Sequence, residues 1–103
     1  MKLEELTALG VEVFDKDKMT YKARQVAEID TKIAGGGKEI TTMLLYVSGI
    51  RKDGENYDLI GQDMIYARTE ILQGSIQGSM TWLNLEEIIG YKVLRSLVRD
   101  VDP

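Results

Sequence analysis

The chain has 103 residues, of which 44% are apolar and 29% charged, with a formal net charge of −4. That length suits one domain, residues 1–103, and the apolar fraction argues against disorder; mild acidity lowers the expectation of a phosphate-backbone partner, so no nucleic acid is expected. Cysteine and histidine are both absent, which excludes disulfides, the usual zinc sites and the nucleophilic sites that need either side chain.

Leu3, Leu6 and Leu9 share one side of a short N-terminal helix, and Gly10 is its natural stop. Val11 to Phe14 reads as a short strand and Asp15 to Lys18 as a charged turn. Asp15 and Asp17 look like the start of a calcium loop, but Met19 and Tyr21 occupy later ligand positions, so a solvated turn is preferred. From Met19 to Ile33 a period of two places the charges on one face, with Val26 the exception, and predicts a strand.

Gly35, Gly36 and Gly37 suit a hairpin loop. With Lys38 they resemble a phosphate loop only superficially, since Glu39 follows where Ser or Thr is needed. Glu39 to Arg51 is apolar on both faces, as expected of a central strand. Asp53-Gly54 marks a tight turn, and a strand from about Tyr57 to Ala67 follows. Residues 63–73 suit either the end of that strand or a helix capped by Asp63 and stopped by Gly74.

Leu72 to Trp82 alternates without exception, and its polar face (Gln73, Ser75, Gln77, Ser79, Thr81) carries no charge. Solvent-facing strands usually bear a charge that blocks edge pairing, so this face is expected either to meet another subunit or to lie under the chain's own N-terminal segment. Asn84 with Glu87 forms a capping-box-like start, and Leu85, Ile88, Ile89, Val93, Leu94, Leu97 and Val98 make a broad apolar stripe. These predict a C-terminal helix over about 84–99, with Lys92, Arg95 and Arg99 on one exposed stripe. Gly74, Gly78 and Gly90 are expected to let that helix approach the sheet closely.

The expected fold is therefore α+β: a strongly twisted or barrel-like antiparallel meander of about four to five strands, carrying the C-terminal helix and a short N-terminal one. The expected role is a non-enzymatic protein-interaction or assembly domain, self-associating, of the kind found among accessory or structural proteins of phages and mobile elements. Gln73, Ser75, Gln77, Ser79, Thr81, Lys92, Arg95 and Arg99 are the candidate contacts. Neither a cofactor nor a metal is expected. No apolar run is long enough to cross a bilayer and the N-terminus lacks a leader's apolar stretch, so a cytoplasmic location without membrane contact is expected.

Two alternatives remain at this level. A curled sheet binding a small molecule or lipid would be lined by Tyr46, Tyr57, Met64, Tyr66, Met80 and Trp82. A carboxylate-based enzyme would use Glu28 with Asp30, or a buried Asp63; Asp53, Glu55 and Asp58 around Gly54 are explained by turn chemistry, with a weak divalent-metal site as their other reading.

Overall fold

A computed structural model describes residues 1–32, 39–64 and 80–97. Its elements are helix α1 (Leu3–Ala8), strands β1 (Val13–Asp15), β2 (Gln25–Lys32), β3 (Ile40–Asp53), β4 (Asn56–Asp63) and β5 (Met80–Asn84), a 3-10 turn (Leu85–Glu87), and strand β6 (Ile88–Ser96). The strands form one sheet in the order β5-β4-β3-β2-β6, with β1 also paired to β3. All neighbours are antiparallel except β1 and β3.

Helix α1 ends as its sequence dictates. The Gly10 N–H donates to the Thr7 carbonyl (3.0 Å) and the Val11 N–H to the Leu6 carbonyl (3.2 Å), with Gly10 at φ 95. This is a Schellman ending, and its usual apolar contact is supplied by Leu6 and Val11, both in the core. At the other end Glu5 accepts the Lys2 backbone N–H (3.1 Å). Between β3 and β4, Gly54 at φ 62 takes the first central position of a two-residue hairpin turn, with Asp53 opposite Asn56.

The expected helix over 84–99 does not form. Asn84 does cap: its Oδ1 accepts the Glu86 N–H (2.9 Å), but only three residues of 3-10 turn follow before the chain becomes β6. The reasons are local. Ile88, Ile89, Tyr91 and Val93 favour extended backbone, and Gly90 would weaken a helix at its centre. Gly90 instead lies opposite Asp30, where an added Cβ would stand 3.0 Å from Asp30 Oδ2. The fold is thus mostly antiparallel sheet, and no C-terminal helix packs on it. The predicted strand Met19–Ile33 is also shorter, its ladder beginning at Gln25.

The sheet must curl. Along a flat path the outermost strands would lie about 19 Å apart, at ~4.8 Å per strand, yet only the 3-10 turn joins β5 to β6. Even fully extended, that connection reaches about 14 Å. The concave side gathers Ala27, Ile29, Leu45, Val47, Ile50, Leu59, Leu83 and Ile88 into one core, closed by Leu6 and Val11. The Met1 amine donates to the Leu85 carbonyl (2.7 Å) and to that of Ile88, so α1 is tied to the β5–β6 connection.

Candidate interaction surface

Strand β6 runs along β2 with two interruptions in register. Ile88, Tyr91, Val93 and Ser96 stand opposite Thr31, Ile29, Ala27 and Gln25, on the concave side. Gly90, Lys92 and Arg95 stand opposite Asp30, Glu28 and Val26, on the convex side. Ile89 and Leu94 have no opposite residue and are the extra residues of two bulges. Lys92 and Arg95 therefore do share a face, as expected, but on a strand: the bulge at Leu94 restores a phase that their spacing would otherwise break.

The far half of β6 is bare. Every residue from Lys92 to Ser96 is exposed, including Val93 (37%) and Leu94 (46%), and Ile89 at the near bulge is 47% exposed. Among the described residues, no strand pairs along the edge of β6 opposite β2. Three ion pairs form among the described residues: Lys16–Asp53 (3.5 Å), Arg24–Glu12 (3.5 Å) and Arg51–Asp53 (3.7 Å). Neither Lys92 nor Arg95 takes part.

A second exposed feature lies on the convex side of β3 to β5. Trp82, opposite Ile60, is 46% exposed, and the Arg51 guanidinium sits 5.1 Å from its ring. Arg24 stacks similarly on Phe14 at 4.7 Å. Tyr46 and Met80 flank Gln62 in the next cross-strand row. At this end of the expected strand Leu72–Trp82 the faces are the reverse of the sequence reading: Thr81 stands opposite Gly61 on the concave side and Trp82 points out. Leu83, packed in the core, sets that phase. Gln73, Ser75, Gln77, Ser79 and Arg99 lie outside the described residues, as do Gly74, Gly78, the Gly35–Lys38 segment and most of 63–73.

The remaining candidates separate from one another. Tyr57 packs against the core while Tyr46, Met80 and Trp82 lie on the convex side, so these aromatic and methionine residues do not line one cavity; Tyr66 is outside the described residues. A shallow cleft with about 10 Å³ of enclosed space opens where β1 and β2 succeed one another along β3, between Gly10–Glu12, Arg24–Gln25 and Val47–Gly49. Ligand pockets are usually about 300 Å³ or larger. Asp30 Oδ1 accepts the Thr42 hydroxyl (2.6 Å) and Asp53 is held by Lys16 and Arg51. Among the described residues no acidic cluster is arranged to hold a metal ion, and no helix is long and apolar enough to cross a membrane.

One interior polar chain escaped the sequence reading. The Tyr91 hydroxyl donates to Gln25 Oε1, and Gln25 Nε2 donates to the Leu9 carbonyl (3.0 Å), which links β6, β2 and the end of α1. Burial raises the Tyr91 phenol above its ordinary value. Gln25 offered the only available signal, as an uncharged polar residue on the apolar side of the β2 alternation. No protein family, curated protein or solved structure matches the chain.

Proposed function

We propose that the chain is a protein-interaction domain that binds by accepting an extended segment along the open edge of β6. One observation carries the reading: Lys92–Ser96 is exposed on both faces while its apolar residues Val93 and Leu94 stand in water. An added strand would satisfy the edge amides and carbonyls and cover those side chains together. The alternative contact is the convex face around Trp82, favoured by the exposed indole with Arg51 against it, both residue types enriched at binding hot spots.

Selection from a displayed random-peptide library, followed by amide hydrogen exchange with and without a selected peptide, tests the choice. Strand addition predicts slowed exchange within Lys92–Ser96. Slowing confined to the Arg51 and Trp82 region would transfer the function to the convex face. Selection of no binder above background, with the folded protein as bait, would count against both contacts.

A further inference from the structure

Resting on the strand-addition reading, we infer that the segment accepted by β6 is an extended strand of alternating acidic and apolar residues, from a different chain. The chemistry follows from what β6 leaves unsatisfied. The protein carries more acids than bases, yet its open strand carries two cations, Lys92 and Arg95, on one face with no ion pair among the described residues. Val93 is the exposed apolar residue on the other face.

The internal neighbour shows the register such a segment needs. On β2 the residues opposite Lys92, Val93 and Arg95 are Glu28, Ala27 and Val26, three consecutive positions, because the Leu94 bulge takes up the extra residue. A strand following the same register on the free edge would place its first and third residues beside Lys92 and Arg95, and its second over Val93. Acid–apolar–acid is the complementary triplet.

A second copy fits worse. Antiparallel self-pairing centred on the exposed stretch sets Lys92 against Lys92, Lys92 against Arg95 at both ends, or Arg95 against Arg95, according to whether it centres on Lys92, Val93 or Arg95. Like charges directly opposite oppose pairing, and edge lysines and bulges are devices against self-addition. The same two cations that repel a copy attract an acidic strand.

The test uses the full chain and two synthetic peptides of about nine residues, matching β6 in length: one alternating Glu and Val, the other alternating Lys and Val. Binding is read by fluorescence anisotropy, and its location by amide exchange. Arg95→Glu with Lys92→Gln is the paired variant; Arg95 faces apolar Val26, so its reversal leaves no like-charge pair with β2, and circular dichroism and melting confirm folding. The acidic peptide should bind the native chain about tenfold more tightly than the basic one, from two exposed charge pairs turned from attractive to repulsive. The variant should abolish or reverse that preference.

Equal binding of both peptides, with protection at Lys92–Ser96, would overturn the acidic inference and leave strand addition standing. Binding of neither peptide, or protection elsewhere, would overturn both. Concentration-dependent dimerisation that protects β6 without peptide would replace the foreign segment with a second copy.

Discussion

Three glycines separate backbone strain from crowding, and their alanine variants test the geometry of the sheet. Gly54 has φ 62 and nothing within 4 Å of an added Cβ, so Gly54→Ala should cost only the left-handed penalty, about 1–2 kcal/mol. Gly61 has no such φ, but its Cβ would stand 2.9 Å from the Tyr46 carbonyl oxygen and 3.2 Å from Leu45 Cδ1. Overpacking of that kind costs about 1–3 kcal/mol. Gly49 combines both: φ 150, with a Cβ 2.8 Å from Phe14 Cε2 and 2.9 Å from the Glu12 carbonyl oxygen. That carbonyl accepts the Ile50 N–H at 2.8 Å, so it cannot retreat without loosening β1 from β3. Gly49→Ala should therefore cost about 2–5 kcal/mol, from strain and crowding together.

Chemical denaturation of the three variants gives the ranking directly. At about 4–8 °C per kcal/mol for a domain of this size, Gly49→Ala should melt roughly 8–40 °C below the native chain. Gly49→Ala with Phe14→Ala should recover only part of the crowding, since the Glu12 carbonyl remains. A Gly49→Ala loss equal to that of Gly54→Ala would refute the argument, because it would mean that neither the Phe14 ring nor the Glu12 carbonyl lies where the structure puts it.

Tyr91→Phe leaves the Gln25 Oε1 without its donor and should cost about 1–3 kcal/mol at neutral pH. The sign of its pH effect follows from burial. The phenol stays neutral in the fold to higher pH than in the unfolded chain, so stability is full below about pH 10 and falls as pH rises beyond it. Melting curves at pH 7 and pH 11 should show a smaller alkaline loss for Tyr91→Phe than for the native chain, and equal losses would remove Tyr91 from the account. Arg51→Met should cost about 0.5–1 kcal/mol through the lost contact with Trp82, and the neutral quencher acrylamide should then reach the single indole more readily. Asp53→Asn breaks the half-exposed ion pairs to Lys16 and Arg51 and should leave that quenching unchanged.

Much of the frame was legible because it rests on local chemistry. Gly10 stops α1, Asp53-Gly54 turns β3 into β4, and the apolar centre of β3 lies between β4 on one edge and β2, succeeded by β1, on the other. The start of β2 was less legible. Residues 19–24 alternate as well as 25–32 do, but only Gln25 onward has ladder partners on both sides, and Tyr21 remains exposed. Alternation reports which side chains could share a face, and pairing decides which residues form the strand. Tertiary choice also set the phase at Trp82: Leu83 in the core commits the neighbouring indole to the convex side, where Arg51 and Ile60 partly cover it.

The misread helix has a sharper cause, which bears on how β6 works. Ile88-Ile89 and Val93-Leu94 are adjacent apolar pairs, the arrangement that fills one stripe of a helix and that a regular strand would split between its faces. In β6 the second member of each pair is the unpaired residue of a bulge. Both of these residues are close to half exposed, whereas Ile88 is buried. The bulges thus take up the residues that do not fit a period of two, and in doing so bring Lys92 and Arg95 to one face. The pattern that imitates a helix is accordingly the one that shapes the edge: it bends β6, aims its cations outward together, and leaves Leu94 uncovered beside them. Deleting Leu94 should remove the bulge and straighten the strand while leaving Arg95 opposite Val26, because Arg95 then follows Val93 directly and alternation keeps it on the face of Lys92. The acidic-peptide preference should therefore survive in that variant; its loss would show that the bend and Leu94, and not the shared face of the two cations, set the preference.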